Sequence, residues 1–409
     1  IRAAKYLQDA GYDMLNCDNG TYDAWYWSHP APYMPQNCNL PDAEYLKPHI
    51  HIPIVCAGRM EPDAAAQSIG AGKIDAMGVA RQFLCDSEWV TKLMNDDEDS
   101  IRPCICCHNA CFNMAHYEGV GNDQTLSDNA GMARCALNPE TMQSKKYRIR
   151  QTAHPKDVAV IGGGIGGMET ARVLKLRGHN PTIYEKTDKL GGVFVCASTP
   201  SFKEKDRDLL KWYEKEISDL NIPVVFNTEI SSLDKIRADE IVIATGSRPR
   251  RLPVPGAEKA IEACDYLSGA AQTGDRVIII GGGLTGCEIA LDLSLKGKTP
   301  VIVEMKHDLM AVRGLCLANS SYLRDYFALN GTEIHLNTTL AEVTDTGVIV
   351  RNKDGRTFPI DGDTVLLSVG YLPDPLIKKS RRVRLVGDCK DVGNLRTVIW
   401  RAWDAAMAI

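Results

Sequence analysis

Short apolar runs alternate with helical patterns over the first hundred residues of the chain. The runs at residues 11–16, 52–58 and 74–79 predict three β-strands, the first of which follows a helix. Between the last two strands, residues 61–70 carry apolar positions at helical spacing. Strands separated by helices at this pitch are typical of parallel βα units, so residues 1–100 are predicted to form such units.

From residue 157 onward, one pattern of elements occurs twice. Each copy runs from a buried strand through a glycine-rich turn and a helix to a second strand that ends at an acidic residue. The copies begin at Val158 and Val277, which indicates the duplication of a domain rather than a short repeat. Residues 101–150 separate these copies from the first section. They are cysteine-rich and then polar, and residues 119–128 read as an inserted loop.

The first copy carries the pattern G-x-G-x-x-G at Gly162, Gly164 and Gly167, directly after its strand. The first glycine allows a tight turn, the second lets the backbone approach a pyrophosphate, and the third lets helix and strand pack closely. Unpaired N–H groups at the start of the helix then face the phosphate charge. The second strand ends at Glu185, whose carboxylate is placed to accept hydrogen bonds from a ribose.

The second copy repeats the arrangement at Gly281, Gly283 and Gly286, and its second strand ends at Glu304. An acid at this position repels a ribose 2′-phosphate, so the pattern favours NADH over NADPH. The two residues that follow closely, Lys306 and His307, are basic and weaken that exclusion. A lone glycine motif is often an ordinary turn, but two complete copies in this context predict two dinucleotide sites.

One cluster of cysteines has a regular spacing, C-x2-C-x3-C-x23-C. Its members are Cys104, Cys107, Cys111 and Cys135. Four thiolates suit a 4Fe–4S cluster and also tetrahedral zinc, and the spacing alone favours neither. Cys106 does not fit the spacing and reads as a bystander, and His108 reads as a neighbour of the site or a surface residue.

Composition and charge exclude several classes of binding partner. The 409 residues carry a formal net charge of −5 without a block of basic residues, which argues against nucleic acid and against an anionic membrane surface. No apolar run is long enough for a bilayer, and no secretion signal is visible. The 14 cysteines then favour a reducing, cytoplasmic setting. Both ends are abrupt, at Ile1 and Ile409, so we expect a fragment; the sequence leaves a homo-oligomer open.

Residues 157–409 resemble the flavoproteins with two dinucleotide-binding domains, the class that includes the disulfide reductases. The resemblance is carried by the two glycine motifs, by the Leu-Gly-Gly ending at Gly192, by residues 241–246 and by the late pair Gly387 and Asp388. It implies that the first copy binds FAD, with Gly192 at the site and Asp388 near the ribityl chain. It also implies that the second, inserted copy binds NADH.

The whole chain resembles the old-yellow-enzyme-like family of 2,4-dienoyl-CoA reductase, 2-enoate reductase and trimethylamine dehydrogenase. The resemblance adds the pairs Gly58-Arg59 and Ala80-Arg81 to the cysteine and dinucleotide motifs, and residues 22–30 look most like the enoate reductase branch. It implies that the first section is the C-terminal part of a (β/α)8 TIM barrel that binds FMN. The two pairs would follow strands seven and eight and hold the FMN phosphate.

In this family context a redox centre beside flavins can relay electrons, which zinc cannot, so we expect the cysteines to hold a 4Fe–4S cluster. Tyr22 is the candidate proton donor or substrate-orienting residue, with a role as an aromatic wall of the pocket as the alternative. His29 is a lesser candidate.

The fold expected is therefore α/β, with a part barrel, an iron–sulfur segment and two Rossmann-like domains. Its predicted bounds are 1–100 for the barrel part, 101–150 for the iron–sulfur segment, 151–268 with 364–409 for the FAD domain and 269–363 for the NAD(H) domain. The expected reaction is reduction of an activated C=C bond in a small unsaturated substrate. Electrons would pass from NADH to FAD, to the cluster, to FMN and to an enoate, enoyl-CoA or steroid enone.

Two alternatives stay open at this stage. One is an amine-oxidising flavoprotein of the trimethylamine dehydrogenase type, in which hydride donors are not used. The intact second motif with Glu304 argues against it. The other is an electron-transfer reductase that serves a protein partner. Residues 21–30, which resemble a substrate-facing segment, argue mildly against that function.

Overall fold

The computed structural model describes residues 1–115, 132–312, 314–376 and 382–409 of the chain. The inserted loop predicted at residues 119–128 lies outside these ranges. Within the ranges described, no helix has both the length and the apolar character that crossing a membrane requires.

The first section contains a small parallel sheet flanked by helices. Its elements are α1 Arg2–Asp9, β1 Leu15–Cys17, α2 Trp25–Ser28, α3 Leu40–Leu46, β2 Ile54–Cys56, α4 Pro62–Gly70, β3 Ala76–Met77, α5 Arg81–Cys85 and α6 Trp89–Met94. The sheet order is β1-β2-β3, with Leu15 opposite Ile54 and Val55 opposite Ala76. The predicted parallel strands are thus confirmed, although each is shorter than its apolar run.

The first strand begins at Leu15 rather than at Gly11, because Gly11 has φ +93° and closes the end of α1. The sheet packs on a small core in which Ile54, Cys56 and Ile74 are buried. Helix α4 begins with Pro62, which lacks the N–H that a first helical turn leaves unpaired, and it turns Ala65 toward this core.

The cysteine section has little regular structure, with α7 at Phe112–Ala115 and α8 at Ser144–Tyr147. Side chains tie it to the end of α5 instead. Asn138 Nδ2 donates to Cys85 O at 3.0 Å, Thr141 Oγ1 donates to Leu84 O at 2.5 Å, and the loop is thereby fixed against the first section.

The remaining elements follow in chain order. Up to residue 268 they are β4 Asp157–Ile161, α9 Ile165–Leu176, β5 Asn180–Tyr184, α10 Val193–Ala197, α11 Glu204–Asp219, β6 Val224–Val225, β7 Glu240–Ile243, β8 Ser247–Pro249, β9 Ile261–Glu262 and α12 Ala263–Leu267. They continue as β10 Arg276–Ile280, α13 Leu284–Leu295, β11 Thr299–Val303, α14 Leu317–Leu329, β12 Glu333–His335, β13 Thr338–Val343, β14 Gly347–Asn352 and β15 Thr357–Asp361. The last are β16 Thr364–Leu367, β17 Tyr371–Pro373, β18 Val383–Leu385 and α15 Leu395–Met407.

These elements form two parallel five-stranded sheets of matching topology. The first has the order β18-β7-β4-β5-β6 and the second the order β12-β11-β10-β16-β9. In each, the strand before the glycine turn is central and pairs with the strand that ends at the acidic residue. The duplicated α/β fold predicted from the sequence is confirmed.

The second sheet takes in strands on both sides of the predicted NAD(H) domain. Strand β16 pairs with β10, and β9 pairs with β16, so residues 261–262 and 364–367 belong to this sheet. The predicted range 269–363 is therefore narrower than the sheet. An antiparallel β13-β14-β15 sheet lies within the same fold, and the β8–β17 ribbon joins the two nucleotide folds.

Helix α15 covers helix α9 and closes the first nucleotide fold. It begins with a capping box, in which Asn394 accepts from Thr397 N and Thr397 Oγ1 accepts from Asn394 N at 3.0 Å. Its buried Trp400 and Trp403 fill the core beneath it. The two buried tryptophans remove a large apolar surface from water, and this burial stabilises the packing of the C-terminal helix against the dinucleotide turn.

Candidate cofactor sites and the cysteine loop

The first glycine turn has the geometry that its motif predicts. Gly162 has φ +107°, and a methyl group added there would lie 2.5 Å from Ala244 O. A methyl group added at Gly167 would lie 1.9 Å from Gly162 O, so only glycine permits this contact of helix and strand. At Gly164 the nearest atom to an added methyl group is Gly192 Cα at 4.0 Å, which leaves the backbone open to a ligand.

Two predicted residues from distant parts of the chain meet this turn. Gly192 has φ +56° and faces Gly164, and a methyl group added at Gly166 would lie 3.6 Å from Gly387 Cα. Asp388 follows Gly387, and its Oδ1 accepts from Gly393 N at 3.1 Å. Burial raises the pKa of the Asp388 carboxyl. The predicted FAD residues are thus brought together at one helix N-terminus, as a pyrophosphate requires.

The second glycine turn repeats this geometry. Gly281 has φ +109° and packs on Ser368 O, and a methyl group added at Gly286 would lie 1.9 Å from Gly281 O. At Gly283 an added methyl group would meet no atom within 4 Å. The turn therefore offers its backbone to a ligand across an open approach.

The two strand-ending carboxylates hold their own glycine turns. Glu185 Oε2 accepts from Gly163 N at 2.7 Å, and Glu304 Oε2 accepts from Gly282 N at 2.6 Å. Both side chains are buried. The sequence pattern predicts a ribose contact for each, and the structure adds a hydrogen bond to the turn beside it. Each carboxylate is thereby held at the mouth of its site.

A cavity of about 970 Å³ lies at the carboxyl ends of β1, β2 and β3. Four predicted residues line it: Gly58, Arg59, Ala80 and Arg81. Within the described part of the chain, the N–H groups of these four residues donate to no acceptor. Parallel strands place ligand sites at this end, and a set of open N–H groups suits a phosphate.

The guanidinium of Arg59 points away from that role. It donates to Pro32 O at 2.7 Å and to Met34 O, and it forms an ion pair with Glu204 at the start of α11. Its positive charge therefore joins the first section to the first nucleotide fold. The guanidinium is thus engaged with these groups, and the predicted phosphate contact of Arg59 stays a prediction.

Arg81 lies between the large cavity and the cysteines. Its Nη1 donates to Pro30 O at 2.8 Å and to His108 Nε2 at 2.6 Å. Burial opposes the charge, but the sulfurs of Cys106 and its neighbours outweigh it and raise the pKa of Arg81. His108 accepts from Arg81, so its Nδ1 carries the proton and donates to Asn319 Oδ1 at 2.8 Å. His108 is thus a buried bridge to α14, not a surface residue.

The four regularly spaced cysteines surround one small cavity, which is lined by Cys104, Cys107, Cys111 and Cys135. Among the residues described, no three His, Cys, Asp or Glu side chains converge on a position for a single metal ion. The sulfurs instead border a shared space. Arg81 and Arg134 line the same cavity, and their positive charge matches the anionic character of four thiolates around a metal centre.

Burial favours the protonated form of the Cys107 and Cys111 sulfurs when no metal is bound. It raises the pKa of Cys107 well above its ordinary value and the pKa of Cys111 to about 11. A metal centre binds thiolates, so its binding would displace these protons. The donor set fits a centre that binds four sulfurs, and Cys135 reaches it despite its long separation in sequence.

Cys104 lines both the large cavity and the cysteine cavity. Cys106, which the spacing left as a bystander, is buried beside it and also lines the large cavity. On the other side, Trp400 of α15 donates its indole N–H to Cys135 O at 3.1 Å. The cysteine loop therefore lies between the strand-end cavity and the helix that covers the first nucleotide fold.

The two candidate proton donors lie in different settings. Tyr22 is 81% exposed, contacts Trp25 edge-on at 4.8 Å and does not line the large cavity. His29 lines the cavity, and its Nδ1 hydrogen-bonds with Ser28 Oγ at 3.0 Å. The structure thus brings His29, rather than Tyr22, to the cavity, and the catalytic role of Tyr22 stays a prediction.

The chain matches known proteins along its whole length. The model of the pyridine nucleotide-disulphide oxidoreductases matches residues 156–388. A cinnamate reductase from Clostridium sporogenes is 39% identical over 418 residues, covering 100% of this chain and 61% of that protein. An NADH oxidase from Thermoanaerobacter brockii is 29% identical over 422 residues, covering 99% of this chain and 63% of that protein.

A solved structure has the same fold over the whole chain. It is a 2-naphthoyl-CoA reductase in complex with 2-naphthoyl-CoA, with a TM-score of 0.86 and 26% identity. It covers 100% of this chain and 62% of the other. The chain therefore spans about three fifths of the length of the relatives that it matches.

Proposed function

Because this chain belongs to the pyridine nucleotide-disulphide oxidoreductase family, we propose that it oxidises NADH in a flavoprotein that reduces an activated C=C bond. Two similar proteins are named for the reduction of unsaturated substrates, a cinnamate reductase and a 2-naphthoyl-CoA reductase. A third is named for its use of NADH. These names support the reaction class and leave the substrate to be found among enoates, enoyl-CoA thioesters and steroid enones.

The position of Cys104 is the observation that carries this proposal. It lines the cavity at the strand ends and the cavity of the four cysteines. A redox centre bound by these cysteines would lie beside a flavin bound at the strand ends. Zinc bound by the same sulfurs could not transfer electrons to that flavin, because zinc does not change its redox state.

We assign the first glycine turn to FAD. Gly162, Gly164 and Gly167 shape the turn, Glu185 is held at its mouth, and Gly192, Gly387 and Asp388 border it. The N–H groups at the start of α9 would bind the pyrophosphate. The half-buried Asp388 carboxyl would accept a hydrogen bond from a ribityl hydroxyl or donate one to it.

We assign the second turn to NADH, held by Gly281, Gly283 and Gly286. Glu304 would accept hydrogen bonds from the adenosine ribose and repel a 2′-phosphate. Its carboxylate is fixed by Gly282 N and by Lys306 N at 2.7 Å, so it cannot swing away from a phosphate group. The same two contacts would let an acid followed by basic residues select against NADPH.

We assign the strand-end cavity to FMN and the cysteine cavity to a 4Fe–4S cluster. The N–H groups of Gly58, Arg59, Ala80 and Arg81 would hold the FMN phosphate. The ligands of the cluster would be Cys104, Cys107, Cys111 and Cys135. When bound, the flavins and the cluster would supply the transfer of electrons from NADH to the substrate.

Residues that line the strand-end cavity would supply the proton that the reduced substrate takes up. His29 lines the cavity, and its Nδ1 hydrogen-bonds with Ser28 Oγ, so its imidazolium form would be a proton donor at the cavity. Tyr22 remains the other candidate, as a donor or as a group that orients a substrate carbonyl. Arg81 fixes Pro30 and so the segment that carries His29.

Two serine variants test the proposal. In Cys104→Ser and Cys107→Ser we expect NADH to reduce FAD at the rate of the unmodified protein, while NADH-dependent reduction of an enoate falls at least 100-fold. Stopped-flow absorbance measures the first step and substrate consumption the second. Cys264→Ser, on α12 outside the cysteine loop, is the matched control. Unchanged enoate turnover in both cysteine-loop variants would contradict the proposal.

A further inference from the structure

His108 joins the second nucleotide fold to the strand-end cavity through hydrogen bonds on both of its ring nitrogens. Its Nε2 lies 2.6 Å from Arg81 Nη1, and its Nδ1 lies 2.8 Å from Asn319 Oδ1. Arg81 lines the strand-end cavity, and Asn319 lies in the first turn of α14. His108 and Asn319 are both buried, so water does not compete for the contact between them. A single buried side chain thus connects α14 to Arg81.

The direction of each hydrogen bond follows from the groups at the two ends of this path. A guanidinium can only donate, so Nε2 of His108 accepts from Arg81 and Nδ1 carries the proton. At the other end, Asn319 Nδ2 donates to Cys106 O at 3.5 Å, which turns Asn319 Oδ1 toward His108. Both ends therefore require the same tautomer of His108. The amide of Asn319 orients the His108 ring, and the ring in turn holds Arg81 Nη1.

The loop that carries His108 has a backbone conformation that needs support from its neighbours. Cys106 has φ +55° and His108 has φ +57°, in the left-handed region that residues with a side chain rarely adopt. Such conformations persist where surrounding contacts hold them. Asn319 supplies two of these contacts, and Asn113 Nδ2 donates to Gly314 O at 3.3 Å, just before α14. The docking of α14 therefore supports the loop that places His108 beside Arg81.

The guanidinium of Arg81 has donors left for a ligand. Its Nη1 is taken by Pro30 O and His108, whereas its Nε and Nη2 donate to no acceptor within the ranges that the structure describes. The other guanidinium at the cavity, that of Arg59, is engaged by Glu204 and by backbone carbonyls. Nε and Nη2 are the pair that can give two parallel hydrogen bonds to a phosphate, provided that the side chain is held in place.

We propose that Asn319 and His108 are positioning residues that act from the second nucleotide fold, through Arg81, on the binding of the FMN phosphate in the strand-end cavity. With Nη1 bound by His108, the guanidinium would present Nε and Nη2 to the phosphate without a further loss of side-chain freedom. The inference rests on the proposed FMN site. Because coupling between sites is reciprocal, FMN bound in the cavity would in turn favour the docked position of α14.

A double-mutant cycle on FMN binding tests the inference in the anaerobically purified protein. The fraction of FMN released on dilution gives its dissociation constant, and chromatography of the released flavin separates FMN from FAD. In Asn319→Ala we expect the dissociation constant of FMN to rise about tenfold, with FAD retained. In the Arg81→Ala background the same substitution should raise it less than about twofold, because the side chain that Asn319 positions is already absent.

A second variant covers the case in which Asn319→Ala does not fold. His108→Phe retains a ring of similar volume and removes both nitrogens. We expect it to raise the dissociation constant of FMN by about tenfold as well, and to lose this effect in the Arg81→Ala background. Asn330→Ala, at the exposed end of the same helix, is the matched control and should leave FMN binding unchanged.

Three results would overturn the inference in distinguishable ways. Unchanged FMN binding in Asn319→Ala and His108→Phe would limit both side chains to packing. A rise of equal size with and without the Arg81 side chain would show that they do not act through the guanidinium. The absence of FMN from the unmodified protein would overturn the proposed flavin site together with this inference.

Discussion

The two nucleotide folds share one turn geometry and differ in what covers it. In both, a methyl group added at the third glycine would lie 1.9 Å from the carbonyl oxygen of the first glycine. In both, a buried glutamate also accepts a hydrogen bond from a backbone N–H of the turn. The first turn faces Gly192 and Gly387 from other parts of the chain, whereas a methyl group at Gly283 of the second would meet nothing within 4 Å.

The difference indicates that the motif alone does not decide how a nucleotide is held. The first turn lies beneath α15, and all residues of α9 from Ile165 to Leu174 are buried. Helix α13 of the second copy leaves its first two residues less covered. We infer that the enclosed copy suits a resident cofactor such as FAD and that the open copy suits a nucleotide that must enter and leave during turnover.

The largest expected effect on nucleotide binding comes from replacing the third glycine of one copy at a time by alanine. Gly286→Ala places a methyl group against Gly281 O, so we expect NADH efficiency to fall roughly 100-fold, equivalent to ~3 kcal/mol of overpacking, with normal flavin content. Gly167→Ala should instead lower bound FAD. Steady-state kinetics and flavin analysis measure the two. Equal loss of FAD in both variants would remove the distinction between the copies.

A smaller effect is expected from the charge of the second glutamate. Glu304→Gln keeps an oxygen for Gly282 N but removes the charge that repels a 2′-phosphate. We expect the preference for NADH over NADPH to fall about tenfold, or ~1.4 kcal/mol. Glu185→Gln is the matched change in the first copy and should leave the preference unaltered. Parallel shifts in the two variants would contradict the assignment of NADH to the second copy.

The ionic contact between the two folds should depend on pH. Asp206 on α11 is buried near Lys203, Glu288 of α13 and Cys106. Burial raises its pKa from 3.8 to about 6, against the attraction of Lys203. The folded state thus holds this proton more tightly than the unfolded state. Its contribution to stability is present below pH 3.8 and is lost as the pH rises to about 6.

Asp206→Asn isolates this contribution. As the pH rises from 4 to 7, we expect the free energy of unfolding of the variant to increase by on the order of 1 kcal/mol relative to that of the unmodified protein. Urea unfolding at several pH values measures the free energy of unfolding of both proteins. Groups that titrate alike in the two proteins cancel in the difference. A difference that stays constant across this range would show that Asp206 does not titrate there.

The smallest effect is expected where the first section meets the second fold. Tyr33 donates to Glu288 Oε1 at 2.8 Å, and Lys203 Nζ lies 2.7 Å from the same oxygen. Tyr33→Phe should lower the free energy of unfolding by about 1 kcal/mol, because Lys203 still pairs the carboxylate. Tyr45→Phe, at an exposed tyrosine, should change it little. Thermal denaturation compares the two, and equal effects would contradict a specific contact.

The sequence predicted the parts of this molecule that local constraints determine. The glycine turns were predicted because a close backbone contact at Gly167 and Gly286 admits no side chain. The strands ending at Glu185 and Glu304 were predicted because buried parallel strands are continuously apolar.

Partners far apart in sequence could not be predicted. The charge of Arg59 indicated a phosphate, yet its guanidinium binds Glu204, which is distant in sequence and near only after folding. His108 and Cys85 were in a similar position, since their burial and contacts depend on how α5, α14 and the cysteine loop pack together. The strand β9 was missed because two residues carry no periodic signal.

Cofactor and metal analysis of the anaerobically purified protein tests the central claim most directly. We predict FMN, FAD and about four irons per chain, with the iron lost in Cys104→Ser. Zinc in place of iron, or ADP in place of FAD, would contradict the path from NADH to the strand-end cavity. Either result would move the function toward amine oxidation or toward electron transfer with a protein partner.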